Sequence, residues 1–318
     1  MKIICNSLYQ HLIDPKYYEE VSFLDNDACE HQGEEYDLSE VEMAVMQPFY
    51  FNKEFLDKMP ALKVAQITGA GYDRVDVEEV KKRGITLCNT RGVMSVSIAE
   101  DVFAKMLFFA REMRRVEEDK KNHVWDMFDQ DQWMCTCYDD LYQKTLGIMG
   151  YGSIGSEIAK RAEAFGMKVH VYDIMEQTDE RITKCFVGEN SLPEFYGSVD
   201  YLVVCIPLNE HTRHLLGTEA FQTMKDTAVL INVARGPLVD TEALVKALEN
   251  RQIKGAALDV FEEEPLPKDS ELWNKEHLYL SSHKAGMGDS WKPFIGSLIM
   301  RNIEHYKKKE TLENIIRL

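Results

Sequence analysis

Leu146-Gly147-Ile148-Met149-Gly150-Tyr151-Gly152-Ser153-Ile154-Gly155 passes from an apolar run into three spaced glycines, and Ile154, Ile158, Ala159 and Ala162 recur at helical spacing. The pattern reads as a strand, a tight turn and a helix. In that arrangement Gly150 permits the turn, Gly152 lets backbone approach a pyrophosphate, and Gly155 lets the helix pack on the strand. The phosphates then face the free N–H groups and positive dipole end of the helix, with Tyr151, Ser153 and Ile154 completing the loop. The next apolar run, Lys168 to Tyr172, ends at Asp173, whose carboxylate suits the two hydroxyls of an adenosine ribose. A 2′-phosphate there meets a like charge, and Ile174, Met175 and Glu176 offer no cation to receive one. The reading is therefore NAD(H) over NADP(H). Glycines also mark ordinary turns, but a strand before, a helix after and an acid about 20 residues on set this turn apart.

The rest of the chain bounds the alternatives. Its 318 residues suit about two domains with substantial cores. With 45% hydrophobic and 29% charged residues and no low-complexity segment, the composition is that of a folded globular protein. The formal charge of −17, from 54 acidic and 37 basic residues, argues against a nucleic-acid or anionic-membrane partner, so an anionic substrate must be held by local cations. The N-terminal apolar run is too short for a signal peptide, and no apolar stretch approaches the ~20 residues of a membrane span. Of the seven cysteines, Cys5, Cys88 and Cys205 lie in apolar strand-like runs and read as reduced core residues, which points to a cytoplasmic protein. Cys135-Thr136-Cys137 has no second pair and no histidine at ligand spacing, so no metal is expected.

Because the glycine turn sits mid-chain, the preceding residues must build something else. Strand-like runs at Lys2–Cys5, Met43–Met46, Lys63–Ile67 and Ile85–Cys88 alternate with helix-like stretches at Pro15–Leu24, Asn52–Lys58 and Val75–Arg83, a small flavodoxin-like parallel α/β pattern. One long helix is expected over Val96–Asp119. After the turn, Tyr201–Ile206, Ala228–Val233, Gly255–Val260 and Leu278–Ser281 read as further strands, with helices at Thr218–Met224 and Asp240–Asn250. Six strands counted from Leu146 complete a doubly wound, Rossmann-type sheet. A final helix, Lys292–Lys309, is too little for a domain of its own and is expected to return to the N-terminal one. The expected division is residues 1–96 with 286–318 as substrate domain and 97–285 as an inserted NAD-binding domain, with a cleft between them.

Ligand-facing residues of open α/β sheets lie just past the carboxyl ends of strands. The run to Val233 ends in Ala234-Arg235-Gly236, the run to Val260 continues to Glu264, and the run to Ser281 ends in Ser282-His283-Lys284. Singly these read as a turn charge, the end of a solvated acidic run and a capping histidine. Together they bring a guanidinium, a carboxylate and an imidazole to one sheet edge. Hydride exchange with a 2-oxo acid needs that set: a cation for the substrate carboxylate, and a proton for the carbonyl oxygen as hydride reaches carbon. A carboxylate beside the histidine holds its tautomer and favours its protonated form.

Gly69-Ala70-Gly71-Tyr72-Asp73, the Gly150 to Gly155 turn, Asn232-Val233-Ala234-Arg235-Gly236, Leu258-Asp259-Val260-Phe261 with Glu264-Pro265-Leu266, and His283 with Ala285-Gly286 occur in that order. Through them the chain resembles the D-isomer-specific 2-hydroxyacid dehydrogenases over residues ~65–290. The resemblance implies that Arg235 holds the substrate carboxylate, His283 is general acid and base, and Glu264 is its partner. It implies that the Ala70-Gly71 backbone also meets the substrate, and that Asp259 accepts from the nicotinamide carboxamide. Ile206, Pro207 and Thr212 resemble the loop over the adenosine portion, and Val233, Ala234, Arg235, His283 and Ala285 are implied near the cofactor. The chain departs from the family at Arg91, where proline is frequent, at Gln143, where glycine is frequent, and at Lys284, which reads as a solvated lysine.

The expected activity is an NAD-dependent interconversion of a 2-oxo acid and a D-2-hydroxy acid. The alternative is an NAD-sensing interaction protein similar to the C-terminal-binding corepressors, which share fold and triad but whose partner-binding tails are not evident here. Formate oxidation is disfavoured because formate members typically carry glutamine where this chain has Glu264. A homodimer is expected, with the long helix and the aromatic-rich segment Trp125 to Tyr142, which includes Phe128, Trp133 and Tyr138, paired across a two-fold axis.

Overall fold

The structure, a computed structural model, describes residues 2–25, 36–125 and 137–318. The chain divides into two units, Met1–Met94 with Gly288–Leu318, and Ser95–Met287. The second is thus inserted in the sequence of the first.

In the first unit, among the described residues, β1 (Lys2–Asn6), β2 (Val21–Leu24), β3 (Val41–Met46), β4 (Val64–Ile67) and β5 (Thr86–Cys88) form a parallel sheet in the order β2-β1-β3-β4-β5. Every residue of β4 is buried, as expected of a strand covered on both faces. The helical reading of Pro15–Leu24 is corrected. Pro15–Tyr17 is a single 3-10 turn capped by Asp14, and Val21–Leu24 is the edge strand, its Val21 paired with Ile3. The β-branched and aromatic side chains of that segment fit a pleated surface, and pairing with β1 overrides the local periodicity. Helices Lys53–Asp57 and Val77–Lys82 start where Asn52 and Asp76 accept the Phe55 and Glu79 N–H groups, each at 3.0 Å.

Helix Trp291–Lys308 belongs to this unit, burying Ile295, Ile299 and Ile303 against Ile3, Met43, Val45 and Val64. Beyond it the tail follows β5. Ile316 N–H donates to Leu87 O at 2.8 Å, and the buried Asn302 receives Glu313 N–H at 2.7 Å while donating to Gln66 Oε1 at 2.7 Å.

In the second unit, the sheet contains β6 (Thr145–Met149), β7 (Lys168–Asp173), β8 (Lys184–Val187), β9 (Tyr201–Val204), β10 (Val229–Asn232), β11 (Gly255–Leu258) and β12 (Leu278–Leu280). Its strands are parallel, in the order β8-β7-β6-β9-β10-β11-β12. The order reverses at β6, making the turn after β6 the switch point where doubly wound sheets bind ligands. The expected count of six omitted β8, a short edge strand in which only Phe186 is buried and whose apolar signal is correspondingly weak.

The single helix expected over Val96–Asp119 is also corrected. It is two helices, Ser95–Ala110 and Met113–Asn122, broken at Glu112, whose φ is 47°. Val102, Met106 and Phe109 pack in one core cluster with Ile158 and Ala162 of helix Ser153–Ala164, whereas no residue of Met113–Asn122 is buried. The apolar stripe ends at Ala110, so nothing holds the continuation on the same axis, and Arg114 instead donates to Leu278 O at 2.7 Å. Gln143, at φ 63°, adopts the left-handed region that glycine enters without steric cost.

Candidate active site

The glycines of the β6 turn occupy three different spaces. Gly150 has φ 94°, and a Cβ added to it meets Ile206 Cγ2 at 3.0 Å. On Gly155 a Cβ lies 2.3 Å from Gly150 O, so the helix can sit this close to the turn only with glycine there. On Gly152 it meets nothing within 4 Å, leaving the backbone open on the side a pyrophosphate needs. Ser153, Ile154 and Gly155 open helix Ser153–Ala164, where first-turn N–H groups lack intrahelical partners. Asp173 is drawn to the same turn, its Oδ2 accepting Tyr151 N–H at 2.7 Å. The Tyr151 backbone is thus tied to Asp173 within the turn, while burial, and then Asp179, push its phenol up to about 12. These residues fit a dinucleotide.

Of the other expected cofactor contacts, Val233 and Ala285 are buried in the core. Thr212 Oγ1 donates to Pro207 O and receives Asn209 N–H, both at 2.8 Å, so the hydroxyl closes its own loop after Ile206.

The strand ends bring His283 and Glu264 together: His283 Nδ1 lies 2.8 Å from Glu264 Oε2. An ionised carboxylate only accepts, so Nδ1 carries the hydrogen and Nε2 is left for proton exchange. Glu264 Oε1 accepts Phe261 N–H at 3.1 Å, which fixes the carboxylate from behind. The imidazole is half exposed and the carboxylate 20% exposed. Arg235 stands on the adjoining turn, its Nη1 donating to Ala234 O at 2.8 Å. The two loops touch through backbone, since a Cβ on Gly236 would stand 1.9 Å from Phe261 C and O.

Two buried polar residues hold this edge, and the sequence reading gave neither that task. Asn232, fully buried, donates through Nδ2 to Arg235 O at 2.8 Å and receives Ala234 N–H at 3.1 Å. Asp259, expected to meet the carboxamide, is 1% exposed and directs its carboxylate at the histidine turn, accepting Ser281 Oγ at 2.6 Å, Lys284 N–H at 3.0 Å and Ala285 N–H at 2.8 Å. Its carbonyl accepts His283 N–H at 2.7 Å. Together these bonds hold His283 at φ 52°, a region that non-glycine residues seldom occupy. The available signal was a polar residue closing each apolar run, because a buried polar group must be hydrogen-bonded. Lys284 itself is exposed.

Nearby, the buried Lys105 pairs with Asp101, and burial raises the Asp101 carboxyl above its usual range, opposed by Lys105 and aided by the charge of Asp259. In the first unit, Ala70 O accepts Asn89 Nδ2 at 2.7 Å, and Arg91 N–H donates to Asn89 Oδ1 at 3.1 Å. Asn89 thus ties the Gly69-Ala70-Gly71 loop to the loop carrying Arg91.

Comparison with known proteins supplies the family. Residues 103–285 match the description "D-isomer specific 2-hydroxyacid dehydrogenase, NAD binding domain". A glyoxylate reductase of Korarchaeum cryptofilum is 35% identical over 267 residues, covering 83% of this chain and 78% of that protein. A glyoxylate/hydroxypyruvate reductase B of Yersinia pestis is 36% identical over 73% of this chain and 70% of its own. A solved structure of a D-isomer specific 2-hydroxyacid dehydrogenase family protein from Aeromonas salmonicida has a TM-score of 0.84 at 26% identity, with 99% of each chain covered.

Proposed function

We propose a small 2-oxo acid, glyoxylate or hydroxypyruvate, as substrate of this chain, which belongs to the D-isomer specific 2-hydroxyacid dehydrogenase family. Its activity is the NAD-dependent interconversion of a 2-oxo acid and a D-2-hydroxy acid. No finding favours the corepressor reading. The observation that carries the residue roles is the His283–Glu264 contact at 2.8 Å beside the Arg235 turn. When bound, NADH supplies the hydride. His283, oriented by Glu264, gives its Nε2 proton to the carbonyl oxygen, and Arg235 holds the carboxylate so that the carbonyl is presented in one pose. Ala70 and Gly71 are assigned to substrate binding, and the second unit is assigned as the cofactor domain. NADH oxidation measured against 2-oxo acids graded from glyoxylate to phenylpyruvate tests the proposal: turnover falling as the side chain grows supports it, and a preference for phenylpyruvate overturns the small-acid assignment.

Asp173 is the residue proposed to select NADH, because its charge opposes a 2′-phosphate. Asp173→Ala is expected to weaken NADH binding and narrow the preference over NADPH. Equal wild-type kcat/KM for the two cofactors would show that Asp173 does not select.

We also propose a cytoplasmic homodimer. No helix among the described residues is long and apolar enough to cross a membrane, and Cys88, Cys137, Cys185 and Cys205 are in no disulfide, the Cys88 thiol pushed up to about 12 by burial. Trp125 and Tyr142 are 85% and 66% exposed, more apolar surface than a connector needs. Phe128, Trp133 and Cys135, with Cys29, lie outside the described residues. Light scattering at micromolar concentration is expected to give twice the 36.7 kDa chain mass, and a monomer would sink the dimer.

A further inference from the structure

We propose that Glu262 is a positioning residue for the reaction, holding the Arg235 turn and the Glu264 loop in register. The inference rests on the roles assigned above to Arg235, Glu264 and His283. In sequence Glu262-Glu263-Glu264 is an acidic run that reads as solvated, yet Glu262 is engaged by two neighbouring loops. Its Oε1 accepts Thr241 N–H at 2.9 Å and Thr241 Oγ1 at 2.7 Å, and its Oε2 lies 2.9 Å from His214 Nε2.

Thr241 opens helix Thr241–Glu249. The cap residue Asp240 accepts Ala243 N–H at 3.0 Å, so Glu262 takes a helix N-terminal N–H that the cap leaves over. That helix follows the Arg235 turn by only a few residues. His214 closes the other side, its N–H donating to Pro237 O at 2.8 Å. The backbone of Glu262 meets the same turn, since a Cβ on Gly236 would stand 2.4 Å from Glu262 N. Main chain and side chain of one residue therefore grip the segment 236–241, immediately after Arg235, while Glu264 lies two residues further on. Burial pushes the Glu262 carboxyl up, but the hydrogen bonds from Thr241 and then His214 outweigh it and leave it below the usual glutamate range. The carboxylate is thus ionised at neutral pH, and these are charge-assisted contacts.

A contact that served only to stabilise the fold would lower the melting point and leave the kinetics of the folded enzyme alone. A positioning contact changes them, because a displacement of about 1 Å at reacting groups costs on the order of 100-fold in rate. The test is steady-state NADH oxidation with glyoxylate by wild type, Glu262→Ala and Glu262→Gln, assayed well below each melting point. Glutamine keeps an oxygen able to accept both Thr241 donors. Glu262→Ala is expected to lower kcat about 10-fold or more and to raise KM for glyoxylate, with Glu262→Gln regaining kcat to within about threefold of wild type. Wild-type kcat and KM in Glu262→Ala, or equal impairment of the two variants, overturns the inference. Should Glu262→Ala not fold, Thr241→Val removes one donor alone; a kcat lowered about threefold supports the proposal, and an unchanged kcat overturns it. An active wild type with unaffected variants sinks this inference only. A wild type inactive on every 2-oxo acid sinks the assigned roles and this inference with them.

Discussion

His283→Ala is expected to lower kcat for reduction by at least about 100-fold, the range typical of losing a general acid. The proton on Nε2 is needed only as the carbonyl oxygen gains charge, so the loss falls on the transition state and KM changes little. Arg235→Ala fails differently. Its guanidinium is assigned to the carboxylate in ground and transition states alike, so KM rises as kcat falls. Steady-state kinetics on glyoxylate separate the two patterns. A His283→Ala enzyme with near wild-type kcat would remove the histidine from the chemistry, and an Arg235→Ala enzyme with unchanged KM would remove the guanidinium from the carboxylate. The loss at His283 should not be a folding defect: the imidazole is half exposed, and the bonds that shape its turn run to Asp259 from backbone groups and from Ser281.

What the sequence made legible divides along physical lines. The switch-point turn was readable because each glycine meets a different steric demand within ten residues: a positive φ at Gly150, open space at Gly152, a backbone contact at Gly155. The strand end at Arg235 was readable because a buried parallel strand appears as an unbroken apolar run, and the one at His283 because β12, although an edge strand with only Leu278 buried, is apolar throughout. Two of the four edge strands among the described residues were not. Val21–Leu24 and Lys184–Val187 carry few buried side chains, and their identity comes from pairing with β1 and β7. The break at Glu112 has no proline or glycine to announce it and follows from the loss of an apolar stripe after Ala110. Support of the site was hidden for a different reason. Asn232 holds its own turn through side-chain hydrogen bonds, Asp259 and Glu262 act through hydrogen bonds to other loops, and nothing in a linear charge run shows that Glu262 meets Thr241 and His214 while its neighbour Glu264 meets His283.

Gly236→Ala is expected to lower kcat/KM by on the order of 100-fold although it removes no charged or catalytic group. Its φ is not in the left-handed region, so alanine has no dihedral objection to the site; the objection is space. A Cβ there would lie 1.9 Å from Phe261 C and O and 2.4 Å from Glu262 N, and all three are backbone atoms that no rotamer change can move. Relief needs a shift of about 1 Å or more between the turn that carries Arg235 and the loop that carries Glu264, since packed carbon atoms sit at about 3.5–4.0 Å. Gly84→Ala supplies the contrast. Gly84 has φ 68° with nothing within 4 Å of an added Cβ, so its replacement carries only the left-handed cost of about 1–2 kcal/mol. Gly84→Ala should therefore lower the melting point and leave kcat/KM of the folded enzyme near wild type. Gly236→Ala should depress kcat/KM even at temperatures where circular dichroism shows it folded. Wild-type kinetics in folded Gly236→Ala would mean that the spacing of these two loops does not set the geometry of the Arg235, Glu264 and His283 groups.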